Sequence, residues 1–389
     1  MDKLTKKLKK DSSVKVLGTA NVFKYNVSTD AIIDGNSVQQ LIFVKDYKGE
    51  RKTMMEYTWY SKDVDGNSVK RGIRVSGHGT HGVPTLSDYS VYCALQRLFI
   101  QQKTVRGTCE LRYDDYDDEY LTINFNITAL AKEMGYVSTP SPSTRNKLKR
   151  SIEVLLATTL YSMHEGGLYD IRTKQYVKAN KSVGFHLLES MDITETEDSM
   201  YSQVRLSKYT YNQIVNDFKL FYNRNKFNTI KNDIAKKIYH LALQWKGDKS
   251  FSFANIDTLA ERIPSVQEEK KYNKRDIKKA IKYLQDKNIV GIKYDENNSD
   301  KVYFIFEGKE ISDEAKSKYK TYKDIKEKMF EIGFNMIEVD EFLDIERIRY
   351  IQALLRYMDT RNPKNPKSYF KKCFNNPINI PSHFYDEII

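Results

Sequence analysis

Apolar and polar positions repeat with a helical period between Lys274 and Lys287. Four apolar residues share one face of the helix that this period predicts: Ile277, Ala280, Ile281 and Leu284. The opposite face carries four cations: Arg275, Lys278, Lys279 and Lys282. Asn273 is a favourable N-cap, and Asn288 can end the helix. The pattern therefore predicts an amphipathic helix with a basic outer face.

Two β-rich runs follow this helix. Ile289–Tyr294 and Val302–Phe306 flank a cluster of turn residues at Asp295–Asp300, so they are expected to form a hairpin. Upstream, Asp233–Trp245 has an amphipathic helical pattern, and Ile256–Ile263 predicts a short second helix. The resulting order is helix, short helix, basic helix, hairpin. A winged helix-turn-helix domain has this layout, in which the basic helix enters the major groove and the hairpin touches the DNA backbone.

The same order of elements occurs between residues 87 and 188. Ser87–Gln102 predicts a helix, Ile127–Met134 a short helix, and Pro142–Leu156 a third helix that Ser141 is expected to cap. The third helix has an apolar inner face: Leu148, Ile152, Leu155 and Leu156. Three β-rich runs after it are interpreted as the wing: Ala157–Met163, Leu168–Ile171 and Gly184–Leu188. This repeat is one of pattern and not of residue identity.

The remaining segments have other patterns. Short β-like runs alternate with turns from Val22 to Val75, which predicts a β-rich segment after a basic tail. The polar, acidic stretch Thr194–Met200 is interpreted as a linker between the two predicted domains. Helical periodicity recurs near the C-terminus, at Ile311–Tyr322, Ile325–Ile332, Asp344–Thr360 and Ser368–Asn375.

These patterns predict an α+β protein with two tandem winged helix-turn-helix domains, a β-rich N-terminal segment and a helical C-terminal region. The tail and β-rich segment are expected over residues 1–81, and the first winged helix over 82–193. The linker and second winged helix are expected over 194–308, and the helical region over 309–389.

Charge narrows the class of partner. The chain has 389 residues, a formal net charge of +12 and a pI of about 9.1, which favours a polyanion such as nucleic acid, or a membrane surface. No apolar run approaches the ~20 residues that span a bilayer. Met1–Lys10 lacks the apolar core of a signal peptide. Three widely spaced cysteines fit a reducing compartment, so a cytoplasmic protein without membrane attachment is expected.

The candidate DNA-binding residues lie on the two basic helices and the second hairpin. In the first predicted domain they are Arg145, Asn146, Lys149 and Arg150. In the second they are Lys274, Arg275, Lys278, Lys279 and Lys282, with Lys293 and Lys301 flanking the hairpin turn. Arg275 can pair with two guanine acceptors and Asn146 with adenine, whereas the lysines are expected to neutralise phosphates. The alternative is that both faces are ordinary solvated surfaces.

The sequence offers little for catalysis, so no enzyme activity, metal or cofactor is expected. It contains no G-x-x-x-x-G-K-[ST] loop for an ATPase and no His-x-His pair for a rolling-circle nicking enzyme. A zinc site from His78, His81, Cys93 and Cys109 would have loose spacing, and structural roles are the better interpretation. The acidic run Asp114–Glu119 is more typical of a solvated loop than of a nuclease metal site.

Three stretches carry a resemblance to a known family. They are Gly82-Val-Pro-Thr-Leu-Ser-Asp-Tyr-Ser-Val-Tyr-Cys-Ala-Leu95, Val204-Arg-Leu-Ser207 with the helices up to Trp245, and Asn365-Pro-Lys-Ser-Tyr-Phe370. In this order they resemble the plasmid replication initiator proteins of the initiator protein A family, which have paired winged helices. The resemblance spans roughly Gly82 to Asn376. It implies binding of double-stranded DNA at repeated origin sites, duplex opening and recruitment of host replication proteins.

Composition and periodicity support DNA binding alone, and two alternatives remain. One is a winged-helix transcriptional regulator that binds a single operator. The other is a structural or interaction protein whose winged helices dock protein partners. A homodimer is a further hypothesis, in which the exposed strands of Val22–Val75 take part in a switch between dimer and monomer.

Overall fold

The computed structural model of the protein describes residues 20–45, 51–62, 67–113, 116–173, 175–178, 184–195, 200–247, 249–265, 270–295, 298–306, 322–335, 338–339, 342, 348–378, 380–381 and 384. Internal contacts divide the chain into two compact units. The first unit comprises Met1–Gln244, Ala254–Ile289 and Tyr294–Val302. The second unit comprises Trp245–Phe253, Val290–Lys293 and Tyr303–Ile389.

The described residues contain short and long helices throughout the chain. They are α1 (Gly35–Gln39), α2 (Leu86–Gln102), α3 (Ile127–Glu133), α4 (Pro142–Ala157), α5 (Lys208–Val215), α6 (Arg224–Thr229), α7 (Asp233–Lys246), α8 (Ile256–Arg262), α9 (Lys270–Asp286), α10 (Tyr322–Glu331), α11 (Ile348–Arg361) and α12 (Pro366–Asn375).

The strands are mostly short. They are β1 (Ala20–Lys24), β2 (Asp30–Asp34), β3 (Met54–Lys62), β4 (Ser68–Ser76), β5 (Thr104–Val105), β6 (Thr108–Arg112), β7 (Thr122–Asn126), β8 (Thr159–His164), β9 (Tyr169–Asp170), β10 (Gln175–Tyr176), β11 (Gly184–His186), β12 (Leu188–Glu195), β13 (Met200–Leu206), β14 (Lys219–Asn223), β15 (Phe251–Asn255), β16 (Gly291–Tyr294) and β17 (Lys301–Ile305). Antiparallel pairing dominates, as in β3–β4 and β12–β13, so the predicted mixture of helices and sheets is confirmed.

Two parts of the chain share one order of elements: helix, strand, short helix, longer helix, hairpin. We call α2, β7, α3, α4, β12 and β13 the first repeat, and α7, β15, α8, α9, β16 and β17 the second repeat. In both, the strand directly before the short helix pairs with the last strand of the hairpin. The strand orders are β12–β13–β7 and β15–β17–β16. The two repeats therefore agree in topology as well as in element order.

The repeats also share residues, which corrects the expectation of a match in pattern only. The short helices α3 and α8 each follow their strand directly, and their equivalent residues are Asn126 and Asn255, Ile127 and Ile256, Leu130 and Leu259, and Ala131 and Ala260. With no insertion or deletion, the match continues into the longer helices, where Leu148 and Ile277, Ile152 and Ile281, and Leu155 and Leu284 are equivalent and buried. Strand, short helix and longer helix thus correspond position by position.

The first hairpin lies later in the chain than predicted. It consists of β12 and β13, so Thr194, Glu195 and Met200 of the acidic stretch belong to paired strands and not to a linker. Residues 196–199 of that stretch lie outside the described residues. Two of the runs that were interpreted as the wing do pair, as β8 with β11. However, β8 also pairs with β4 of the N-terminal hairpin, so these strands form a separate sheet inserted between α4 and β12. A period of two identifies a strand but not its partner, which explains the error.

The N-terminal part of the first unit is built around α2. Thr85 and Asp88 cap this helix, and almost every side chain from Leu86 to Ile100 is buried. The hydroxyl of Tyr89 on α2 lies 2.7 Å from Nδ1 of His240 on α7. The first helices of the two repeats are therefore in direct contact.

The second unit contains a helical core, as predicted for the C-terminal region. Buried apolar residues of α10, α11 and α12 pack together, among them Ile325, Leu354 and Phe370. These helices confirm the periodicity at Ile325–Ile332 and Ser368–Asn375. Most of the helix predicted at residues 311–322 lies outside the described residues.

Candidate nucleic-acid interface

The longer helix of the second repeat, α9, is anchored by an asparagine. Asn273 was expected to cap it, but α9 begins three residues earlier, at Lys270, and Asn273 is buried within its first turn. Its Nδ2 donates hydrogen bonds to the carbonyl oxygens of Ala260 and Ile263, at 3.0 and 3.1 Å. Because both carbonyls lie at the end of α8, the side chain fixes α9 against the short helix.

A second anchor connects α9 to the N-terminal segment of the first unit. Lys45 forms an ion pair with Asp276 on α9, and its backbone N–H donates to the carbonyl of Pro264 at 2.8 Å. Burial alone would raise the pKa of Asp276, but the hydrogen bond from Lys45 and the positive charges of Lys45, Arg275 and Lys279 together lower it. Asp276 is thus held as a carboxylate on the side of α9 that faces its neighbours.

The predicted basic face of α9 is present. Arg275, Lys278, Lys279 and Lys282 are exposed, whereas the apolar residues of the opposite face are buried. Lys274 is half-buried. The guanidinium of Arg275 lies 5.1 Å from the ring centre of Tyr272, so its planar group is close to an exposed aromatic side chain. Exposed cations on an anchored helix are able to contact phosphates and base edges.

Two of these lysines pair with acidic residues of neighbouring elements. Lys274 Nζ lies 2.5 Å from Asp257 Oδ1 on α8, and Lys278 Nζ lies 2.8 Å from Asp300 Oδ1, just before β17. The hydrogen bond to Asp257 raises the pKa of Lys274, and the hydrogen bond from Lys278 lowers the pKa of Asp300. The charge that α9 presents is therefore smaller than its lysine content indicates.

The longer helix of the first repeat, α4, has a weaker basic face. Among its four candidates Asn146 is exposed and the others are half-buried: Arg145, Lys149 and Arg150. Each candidate has an equivalent residue in α9. The equivalent pairs are Arg145 and Lys274, Asn146 and Arg275, Lys149 and Lys278, and Arg150 and Lys279. Lys282 has Glu153 as its equivalent. An exposed cation that the sequence reasoning missed, Lys147, occupies the position of Asp276.

The two hairpin lysines that the sequence suggested have different surroundings. Lys301 lies at the start of β17, where its Nζ is 3.3 Å from Asp295 Oδ2. Lys293 is exposed on β16 and belongs to the second unit, whereas the other candidates belong to the first unit.

Sequence reasoning also missed the acidic character of the hairpin tips. Glu195 is the last residue of β12, and its Oε2 lies 3.9 Å from Nζ of Lys149. Asp300 has the same relation to Lys278. Because Glu195 was assigned to a linker, there was no reason to compare it with Asp300. The strand pairing shows that both residues lie beside a hairpin turn.

The residues considered for zinc are separated. His78 and His81 stack at 4.7 Å between ring centres in one loop, whereas Cys93 and Cys109 are buried on α2 and β6. Burial raises the pKa of the Cys93 thiol to about 12. Within the described ranges there is no cluster of three metal-ligating side chains that could hold an ion. In the same ranges, no helix is long and apolar enough to cross a membrane.

Comparison with known proteins gives a structural likeness. No family model and no curated protein matches this chain. A crystal structure of selenomethionine derivatives of domains 2 and 3 of RctB is similar to it over 71% of this chain and 99% of that chain. The sequence identity is 12% and the TM-score is 0.45. Similarity at this level is too low to indicate a shared function.

Proposed function

We propose that the protein binds double-stranded DNA sequence-specifically through two tandem winged-helix domains and acts as a plasmid replication initiator. The observation that carries DNA binding is the repeat itself. The order of elements and strands in each repeat supports a winged helix, and the longer helices carry polar and basic residues at equivalent positions. A net charge of +12 supports a polyanionic partner.

In this proposal α4 and α9 are the recognition helices. Arg275 and Asn146, at equivalent positions, read base edges, because guanidinium and amide groups match the acceptors and donors of guanine and adenine. Lys279 and Lys282 neutralise phosphates and give binding its salt dependence. Both helices belong to the first unit. One molecule would then cover two successive major grooves, about 34–36 Å apart.

The origin role rests on the resemblance of the three stretches that begin at Gly82, Val204 and Asn365. It makes the protein a non-enzymatic initiator that binds repeated origin sites and recruits host replication proteins. Duplex opening would use binding and bending energy. The proposal keeps the domain boundaries after residues 81 and 308, but it moves the boundary between the two winged helices from residue 193 to residue 206, because β12 pairs with β13. A cytoplasmic location and a homodimer are further parts of the proposal.

Footprinting on the DNA upstream of the gene, with shuffled DNA as the control, tests this proposal. A preference of about 10³-fold or more for the natural DNA is expected at physiological salt. Several regularly repeated footprints are expected of an initiator, whereas a single footprint would support a transcriptional regulator. Equal, salt-sensitive binding to both DNAs would contradict sequence-specific recognition.

A further inference from the structure

We propose that Asp300 and Glu195, the acidic residues at the two hairpin tips, are specificity determinants for DNA. Each holds one lysine of the adjacent recognition helix, Lys278 or Lys149, away from the backbone of non-cognate DNA. At a cognate site, where the helix is seated in the groove, a phosphate replaces the carboxylate as the partner of that lysine. This inference rests on the proposed DNA-binding function.

The arrangement occurs twice in the chain. Lys149 and Lys278 occupy equivalent positions of α4 and α9. Their partners come from opposite sides of the hairpin turn: Glu195 ends β12, and Asp300 precedes β17. Equivalent lysines therefore have acidic partners from different strands, within hydrogen-bond distance for Lys278 and at longer range for Lys149. An ion pair that recurs at the same helix position with a different carboxylate is not explained by copying of one local sequence.

Two residues near these lysines reverse their charge between the repeats. Lys147 corresponds to Asp276, and Glu153 corresponds to Lys282. Both lysines nevertheless keep an acidic partner, at 3.9 Å for Lys149 and 2.8 Å for Lys278. The lysine at this position thus keeps an acidic partner in both repeats, although these two nearby charges reverse.

The physical chemistry of the pairs suits an exchange of partners. All four side chains are more than one third exposed, and exposed ion pairs contribute little to stability, so a well-placed phosphate can displace the carboxylate. Asp300 is exposed and ionised at neutral pH, and the hydrogen bond from Lys278 lowers the pKa of its carboxyl further. On loosely bound DNA, this negative charge repels the phosphates and occupies the lysine. The protein therefore discriminates between cognate and non-cognate DNA, because a phosphate lies within reach of the lysine only when the helix is correctly seated in the groove.

Asp300→Asn in the full chain tests the proposal. Affinity is measured for cognate and shuffled duplexes over a range of salt concentrations. Roughly threefold tighter binding to shuffled DNA is expected, since one repulsive charge is lost and one lysine is released. The salt slope on shuffled DNA should steepen by about 0.9, the value for one additional phosphate contact. Cognate affinity should change less, so the specificity ratio falls.

Asp217→Asn is the matched control. It removes the same charge and also breaks an Asp–Lys pair, with Lys219 at 2.6 Å, but Lys219 is not on a recognition helix. Asn tolerates the left-handed backbone at this position, where φ is 66°. A second control places Asp300→Asn in a Lys278→Ala background, where its effect should disappear. Glu195→Gln extends the test to the first repeat and should act in the same direction.

The outcomes separate this inference from the proposed function. Specific DNA binding by the unchanged protein, together with equal effects of Asp300→Asn and Asp217→Asn, would overturn the inference alone. An effect that persists without Lys278, or that is equal on cognate and shuffled DNA, would also overturn it. Absence of DNA binding by the unchanged protein would overturn the proposed function and, with it, this inference.

Discussion

The hydroxyl of Tyr89 and Nδ1 of His240, 2.7 Å apart, share a hydrogen bond between two buried side chains that connects the first helices of the two repeats. Burial lowers the pKa of His240 and raises that of Tyr89, so both groups are neutral at physiological pH. Phe227 stacks on the same imidazole ring at 4.4 Å. The contact therefore lies in an aromatic core that both repeats share.

Tyr89→Phe is expected to destabilise the protein by about 1–3 kcal/mol, because it leaves the buried imidazole nitrogen without its partner. Urea unfolding followed by circular dichroism measures the loss. Tyr201→Phe is the matched control: its side chain is exposed on β13, so a change within about 0.5 kcal/mol is expected. Equal stability of the two variants would show that the Tyr89–His240 bond does not contribute.

A buried lysine predicts a pH dependence of stability. Lys237 on α7 donates to the carbonyl of Ser37 at 2.6 Å, and burial lowers its pKa to about 7. Between pH 7 and about 10, the unfolded chain therefore holds a proton that the folded protein lacks. Stability contributed by this group rises with pH across that window, by at most about 1.4 kcal/mol per pH unit.

Lys237→Met isolates this contribution. The free energies of unfolding of the unchanged protein and the variant are compared between pH 6.5 and 9.5. As the pH rises, the free energy of unfolding of the unchanged protein should increase relative to that of the variant. Parallel curves would mean that Lys237 keeps an ordinary pKa in the folded state.

Asn273→Ala tests whether the orientation of α9 depends on its anchor. The substitution removes two hydrogen bonds to the carbonyls of Ala260 and Ile263, and a loss of about 1–3 kcal/mol is expected. DNA affinity should fall as well, although Asn273 is buried and does not face the DNA. Asn273→Asp, which keeps the size but cannot donate, should behave like the alanine variant. Normal affinity in both would show that the anchor does not position α9.

Arg275→Ala and Lys279→Ala distinguish base reading from phosphate contact. Arg275→Ala should weaken cognate binding by about 10- to 100-fold and shuffled binding much less, because the bidentate guanine contact is lost. Lys279→Ala should weaken both about equally and reduce the salt slope by about 1. Titrations with labelled duplexes at several salt concentrations measure both effects. Identical profiles for the two variants would contradict the separate roles.

The helices could be predicted from the sequence because their signals are local. The apolar stripe of α9 and the Ser141 cap of α4 depend on residues within a few turns, and both are confirmed. The prediction that Asn273 caps α9 was wrong. An asparagine amide can accept a hydrogen bond as a cap, but it can also donate one, and Asn273 donates to a carbonyl of the neighbouring helix α8.

Strand partners depend on residues far apart, so they were harder to predict. The pairing of β8 with β4 and the true position of the first hairpin are long-range choices. Strand β15 was missed because its alternation is inverted: Phe251 and Phe253 are exposed while Ser252 is buried. The acidic partners of Lys149 and Lys278 could not be predicted either, because each partner lies on a hairpin that is distant in sequence from its lysine.

Hydroxyl-radical footprinting of one bound molecule on a single cognate site tests the central claim most directly. The two-helix account predicts protection on one face of the duplex over two successive helical turns, about 34–36 Å apart. Arg275→Ala should weaken protection at one turn, and Asn146→Ala should weaken it at the other. Protection confined to one turn, or loss at the same turn in both variants, would contradict the claim that α4 and α9 each read a major groove.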